Sequence, residues 1–282
     1  MIIDTHCHLN FQAFEKDADK VIQRSLAEGV WMINIGSQLE TGQRAVELAE
    51  KYSEGVFASV GLHPIHITGH LMKKGLDSEE LAAQEKMKEF NVEDYKKLAE
   101  SKKMVAIGEI GLDYYYKPKS KTKLTEFKEI QQQGLVIQLD MAQDLNLPVA
   151  LHCRSAHDDL ISILNTKYHI SGTNLRGVIH CFTGNLEQME KYLNLGLYLG
   201  LNGIIFKPIP GINWQQIIKE APLDRILIET DSPYLTPPMA KQSRNEPIFS
   251  KYVIVEIAKI KKLSYEEVAK ITTRNARTLF NI

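Results

Sequence analysis

The stretch LPVALHCRSAHDDLISILNTKYHISGTNLRGVIHCFTGNLEQMEKYLNLGLYLGLNG, residues 147–203, decides the fold. It holds three apolar runs, LPVALHC (147–153), RGVIHCF (176–182) and LYLGLNG (197–203), separated by stretches of helical periodicity at about 156–167 and 185–195. Nearly continuous apolar runs read as parallel strands covered on both faces. Joining parallel neighbours takes a crossover, usually a helix. The same alternation extends both ways. Upstream lie strands at 1–8, 30–37, 56–63 and 104–112, with helices over 15–28, 40–53 and 122–145. Downstream come a short helix near 213–220, an eighth strand RILIETD (225–231), and helices at about 246–261 and 264–280. Eight such units in 282 residues predict an α/β protein with a (β/α)8 TIM barrel; an open doubly wound sheet is the rival. No Gly/Ser-rich or Pro-rich linker divides the chain, so 1–282 reads as a single domain. Residues 66–102 are off pattern. This stretch, which contains the charged piece DSEELAAQEKMKEFNVEDYKKLAE, reads as an insertion of solvated helices, with a lid or partner surface as the other reading.

Composition narrows the function. Lys and Arg number 34 against 35 Asp and Glu, a net charge of −1, which excludes a protein that coats nucleic acid by charge alone. Phosphates would have to be met locally. Three cysteines cannot build a disulfide framework and fit a reducing compartment. The start, MIIDTHCHLNF, has no basic segment or apolar core of signal-peptide length, and no apolar run approaches the ~20 residues of a membrane span. A cytoplasmic protein is expected, with no membrane association and no obligate protein partner.

In a barrel of this kind, side chains at the C-terminal ends of the strands meet in one site. His6 and His8 end the first strand, His63 the third, His152 the fifth, His180 the sixth and Asp231 the eighth, while Glu109 lies near the end of the fourth. Alternation puts His6 and His8 on one strand face, about 6–7 Å apart along the chain, so both can reach one metal. Singly, each of these residues reads as structural. Together, His6, His8, Glu109, His152, His180 and Asp231 would be a costly buried cluster without a cation. Four His and two carboxylates suffice for two divalent ions with a bridging water, and Glu109, midway in strand order, is the natural bridge. Imidazole-rich ligation favours Zn²⁺ or Mn²⁺ over Mg²⁺, although the metal giving fastest turnover can still be Mg²⁺.

Other residues have two readings each. Cys7, Cys153 and Cys181 each follow a candidate ligand His, which invites a zinc–thiolate reading; alternation instead points them outward as small buried apolar groups. Asp4 either orients a ligand or is a buried hydrogen-bonding group, and Asp113 has the same ambiguity. His63, in VGLHP, contacts substrate or simply ends its strand. His66, His70, His157 and His169 read as solvent-exposed. The stretch YYYKPKSKTK (114–123) interleaves Tyr rings, which can stack on bases, with Lys117, Lys119, Lys121 and Lys123, which can meet phosphates; the other reading is a solvated loop.

The motifs DTHCHL (4–9), VGLHP (60–64), AIGEIGLDYYY (106–116), LPVALHCRSA (147–156), VIHCFTG (178–184), LIETDSPYLTP (227–237) and RNEP (244–247) are together similar to those of the TatD family of metal-dependent hydrolases and deoxyribonucleases. The resemblance runs to NARTLF at 275–280. It implies an amidohydrolase-like TIM barrel with two metals: His6, His8, Glu109 and Asp231 at one, Glu109, His152 and His180 at the other. It also implies His63, Arg154 and Arg244 on the substrate side. Two departures stand out: Ser155 occupies a position usually acidic in the family, and 66–102 is longer than typical. The expected reaction is hydrolysis of a phosphodiester by a metal-activated water, as in a 3'-5' exonuclease acting on single-stranded DNA ends, with Asp231 and Glu109 as catalytic carboxylates. The alternative is an amidohydrolase-type enzyme cleaving a small ester or amide; no Lys lies at a strand end to form a carbamylated bridge. A non-catalytic barrel would be expected to have lost a ligand.

Overall fold

The computed structural model describes residues 1–68, 71, 90–169 and 175–282. Eight parallel strands run in the order β1 to β8: Ile2–Cys7, Val30–Ile35, Val56–Val60, Met104–Asp113, Val149–Arg154, Gly177–Ile179, Tyr198–Leu201 and Ile226–Ile228. The described α-helices are α1 (Ala18–Ala27), α2 (Leu39–Glu50), α3 (Pro64–Thr68), α4 (Val92–Leu98), α5 (Lys121–Asp144), α6 (His157–Leu164), α7 (Leu186–Asn194), α8 (Trp214–Glu220), α9 (Ser250–Lys261) and α10 (Tyr265–Phe280). This is the TIM barrel and not the open sheet. Local chemistry sets the helix starts: Asn185 with Gln188, and Ser264 with Glu267, form capping boxes ahead of α7 and α10. Most of the expected insertion lies outside the described residues. Its described ends are α3 and α4, the latter capped by Asn91 and anchored by buried Tyr95. Among the described residues no helix is long and apolar enough to cross a membrane.

The seam between β1 and β8 closes through individual contacts. Asp231 N donates to His6 O at 2.8 Å and His8 N to Ser232 O at 2.8 Å. Below them Asp4 accepts from Thr230 N at 2.8 Å and Thr230 Oγ1 at 2.5 Å. Asp4 is fully buried, and burial pushes its carboxyl well above the usual range. Among its two expected roles, the contacts are those of a seam clasp: it touches the His6 backbone and no imidazole.

A contiguous apolar cluster draws Ile3, Ile33, Ile35, Val105, Ala106, Ala150, Val178 and Leu227 from six strands, an arrangement only the barrel interior allows. Ala276, Leu279 and Phe280 of α10 complete it and plug one end of the barrel. Along three of these strands the next inward positions are His152 (after Ala150), His180 (after Val178), and Glu229 then Asp231 (after Leu227). The polar site therefore stands on the dry plug. A second, larger cluster packs the helices against the outside of the sheet.

Candidate metal centre

At the C-terminal end of the strands a cavity of about 860 Å³ is lined by His8, His63, Glu109, Asp113, His152, Arg154, His180 and Asp231, among others. Three strand ends are reshaped to aim these groups. β6 stops at Ile179 and β8 at Ile228, short of the expected 182 and 231. Beyond them, and just past β5, Cys181, Asp231 and Ser155 take positive φ of 45°, 58° and 57°. Left-handed backbone at a non-glycine residue costs about 1–3 kcal/mol, which the surrounding packing must hold in place. β4 slips register against β5 between Ile107 and Ile110, the point at which Glu109 enters the cavity. Gly111, at φ +150°, lets β4 lie against β5, since a Cβ there would come within 1.9 Å of His152 O.

Glu109 is the hub. One oxygen lies 2.7 Å from His152 Nδ1, 3.5 Å from His63 Nε2 and 3.8 Å from His180 Nε2; the other lies 3.4 Å from His6 Nε2 and 4.0 Å from His8 Nε2. Asp231 Oδ1 is 3.3 Å from His8 Nε2, 3.7 Å from His180 Nε2 and 3.9 Å from His6 Nε2. The His6 and His180 rings stack at 3.4 Å, and His6 Nε2 faces His8 Nε2 at 3.2 Å. The six expected ligand residues are thus brought together. The tight groups are His6–Glu109–His180, His6–His8–Asp231, His180–Cys181–Asp231 and His63–Glu109–His152; in the last, His63 rather than His180 stands beside Glu109 and His152.

The outward nitrogens define which imidazoles present a lone pair to this space. His8 Nδ1 is 2.9 Å from Ile35 O, a fixed acceptor, so its proton sits there and Nε2 is bare. His152 Nε2 is 3.2 Å from Asp113 Oδ2, which leaves Nδ1 facing Glu109. His180 Nδ1 is 2.9 Å from Glu229 Oε1, an ion-pair contact rather than an aligned hydrogen bond, with Nε2 directed inward. A carboxylate or carbonyl behind the ring is the arrangement that orients a metal-bound His. His63 differs. Its Nδ1 accepts from Ile65 N at 3.1 Å, so in the neutral ring the proton is on Nε2, facing Glu109. Neutral His63 is a hydrogen-bond donor to the cavity.

The charges gathered here oppose one another's burial. Glu109, Asp113, Glu229 and Asp231 cluster in one region, and all but Asp231 are buried. Burial opposes ionisation of Glu109, but His63, His6 and His152 outweigh it and hold the carboxyl well below its usual range. Asp231 is lowered against its burial by His180 and His8. Burial also opposes protonation of His152, yet Asp113 and Glu109 lift it to about 9. For His180 burial is overcome by Glu229, Asp231 and Glu109, lifting it to about 10. His6, where burial and His180 dominate, falls to about 4. The donor set is rich in lone pairs and anionic oxygen, with two imidazoles holding protons that a divalent cation would displace. These residues fit such an ion.

Arg154 enters the same cavity, 3.9 Å from Asp113 Oδ2, its guanidinium 3.7 Å from the centre of the Tyr115 ring. Arg244 does not: it binds Asp17 through both terminal nitrogens at 2.9 and 2.7 Å, Ala13 O at 2.7 Å and Glu246 at 3.3 Å, and lies over the Phe14 ring. With its donors so engaged it is absent from the cavity lining. Asp113 supports His152 directly. Cys7 and Cys153 are buried, the former toward Ile33 O. Cys181 departs from the expected outward position: the strand has already ended, its alternation no longer applies, and the half-buried thiol lines the cavity near His180 and Asp231. His66 and His157 are buried, not exposed. His66 Nε2 reaches Ser37 Oγ at 3.3 Å, and His157 wedges between Phe182 and Tyr192 with Nδ1 3.1 Å from Tyr192 OH. His70 and the side chain of His169 lie outside the described residues.

Glu229 escaped the reading of the sequence. It is fully buried, accepts from Cys181 N at 2.6 Å and Asn202 Nδ2 at 3.1 Å, and backs His180. Gly200 makes room for it: a Cβ there would come within 2.3 Å of Glu229 Oε2. The signal was an acidic residue in an otherwise apolar strand, two positions before Asp231 and so on the same face.

Residues 3–281 match the family described as TatD related DNase. The chain is 36% identical to an uncharacterized metal-dependent hydrolase, YabD, of Bacillus subtilis strain 168, with all of both chains covered. It is 35% identical to the 3'-5' ssDNA/RNA exonuclease TatD of Erwinia tasmaniensis, again over the whole of both. The crystal structure of YJJV, a TatD homolog from Escherichia coli K12, superposes with a TM-score of 0.81 at 31% identity, covering 100% of this chain and 98% of that one. The chain therefore belongs to the TatD family of metal-dependent hydrolases.

Proposed function

We propose that this hydrolase is a two-metal phosphodiesterase that trims single-stranded DNA from the 3' end. The observation that carries the reading is the convergence of His8, His152 and His180, each backed by an acceptor on its far nitrogen, on the space between Glu109 and Asp231. His6, His8, Glu109 and Asp231 would hold one divalent ion, and Glu109, His152 and His180 the other. When bound, the pair supplies a water of lowered pKa and a polarised phosphoryl oxygen.

The chain's own groups do the rest. Asp231, ionised against its burial, receives the proton of the attacking water. Glu109 stays anionic between the two ligand sets. His63, with its proton on Nε2, and Arg154, with its guanidinium at the cavity, donate to the phosphate oxygens as negative charge builds. The relative from Erwinia tasmaniensis, a 3'-5' ssDNA/RNA exonuclease by name, supports polarity and substrate class. The test is to strip the protein with chelator, restore Zn²⁺, Mn²⁺ or Mg²⁺ singly, and offer end-labelled single-stranded DNA beside a panel of carboxylic esters and amides. Metal-dependent shortening from the 3' end is expected; turnover confined to esters or amides overturns the proposal.

A further inference from the structure

We propose that the segment joining β4 to α5, together with the first turn of α5, is a rail for single-stranded polynucleotide, feeding a chain end past Tyr115 and Arg154 into the cavity. This rests on the phosphodiesterase reading. Residues 114–123, YYYKPKSKTK, carry four Lys and no acid in a chain whose net charge is −1. Lys117, Lys119, Lys121 and Lys123 are all exposed, and no ion pair engages them among the described residues. Among the described residues their charge is uncommitted, unlike that of Arg244 or Arg24.

The root of the segment is fixed to the site. Tyr115 N donates to Asp113 Oδ1 at 2.8 Å, and the other oxygen of that carboxylate lies 3.2 Å from His152 Nε2. Tyr114 is buried and its hydroxyl accepts from Gln132 Nε2 at 3.1 Å. Tyr115 lines the cavity with Arg154 over one ring face, yet remains 54% exposed. An open ring beside a cationic plane is a platform for an unstacked base, which single strands offer and duplexes do not. Lysines beyond it then meet successive phosphates. A near-neutral protein thereby gathers a polyanion at one place.

The experiment uses the metal-loaded protein and a fluorescent, hydrolysis-resistant phosphorothioate single strand. Fluorescence anisotropy is followed across a salt series. The variant replaces Lys117, Lys119, Lys121 and Lys123 by Ala. A charge-matched control replaces Lys20, Lys102, Lys259 and Lys270, exposed residues away from the cavity. Four lost phosphate contacts lower the slope of log affinity against log salt by about 3, so the fall between about 50 and 200 mM salt becomes roughly 50-fold shallower. Hydrolysis of bis(4-nitrophenyl) phosphate stays at the parent rate in both variants. Tyr115→Ala weakens the strand without changing competition by polyglutamate.

Three results overturn the proposal: an unchanged slope in the four-lysine variant, equal loss in the control, or loss of small-ester turnover in step with strand binding. Polyglutamate competing as well as unlabelled strand, with Tyr115→Ala indistinguishable from parent, overturns the nucleic-acid assignment. If the parent cleaves no phosphodiester at all, the proposed activity fails, while the anisotropy series still decides the rail.

Discussion

Glu229→Gln tests whether the charge behind His180 sets metal affinity. The side chain keeps its shape, and Gln Oε1 can still accept from Cys181 N or Asn202 Nδ2, which now hold Glu229 at 2.6 and 3.1 Å. What is lost is the negative charge 2.9 Å from His180 Nδ1, together with charge assistance in the two hydrogen bonds. Charge-assisted bonds are worth about 1.5–3 kcal/mol against about 0.5–1.5 for neutral ones, so over two bonds the fold loses roughly 2–3 kcal/mol. Removing an outer partner of a ligating His lowers metal affinity about 10–100-fold. That corresponds to about 1.4–2.8 kcal/mol. Titration calorimetry with Zn²⁺ into chelator-stripped protein, repeated in buffers of different ionisation enthalpy, reads affinity and proton release together. Because Glu229 is the largest favourable influence keeping His180 protonated, proton release on Zn²⁺ uptake near neutral pH falls in the variant. A variant that folds and titrates with parental affinity and parental proton release refutes the argument.

Four further outcomes follow from the same geometry. Gly200→Ala forces a Cβ to within 2.3 Å of Glu229 Oε2, so thermal unfolding should show a loss of about 1–3 kcal/mol and calorimetry a weakening of Zn²⁺ in the same direction as Glu229→Gln. Asp231→Asn should leave the melting temperature near that of the metal-free parent while removing most metal-dependent turnover; undiminished turnover in a metal-replete sample counts against Asp231 as proton acceptor. In metal-free protein, His152 and His180 are raised from 6.5 to about 9 and about 10, so their stabilisation is complete below about pH 6.5 and is lost as pH climbs toward about 10. Melting temperatures in chelator should therefore decline along that alkaline limb, and a flat profile there contradicts the assigned contacts. Arg244→Ala removes the partly exposed Asp17 and Glu246 pairs and should cost about 1 kcal/mol in chemical denaturation with little change in KM, whereas a raised KM in folded protein would return Arg244 to the substrate.

Strand positions were legible because buried parallel strands write themselves as apolar runs, and the ligand positions because a strand end is where such a run admits a His. The strand ends themselves were not. Three residues of left-handed backbone, at Ser155, Cys181 and Asp231, break the alternation at the rim, and nothing local in a non-glycine residue announces positive φ. Cys181 was misread for that reason. The burial of His66 and His157 depends on Ser37, Phe182 and Tyr192, partners distant in sequence or a helix away. Arg244 sits beside the right strand, but its direction is set by Asp17, 227 residues earlier. Glu229 was visible in type and parity; its partner Gly200 lies on the neighbouring strand, a pairing that only the barrel reveals.

The plug formed by Ala276, Leu279 and Phe280 has a consequence for the order of events in making the molecule. His6 emerges early in translation and Asp231 late, and the seam that unites them is braced from beneath by a helix made after both. A ribosome-bound chain stalled before residue 265 has every proposed ligand in hand but no floor under them. A truncation that removes α10, more than thirty residues past Asp231, should therefore abolish Zn²⁺ uptake as thoroughly as the loss of a ligand.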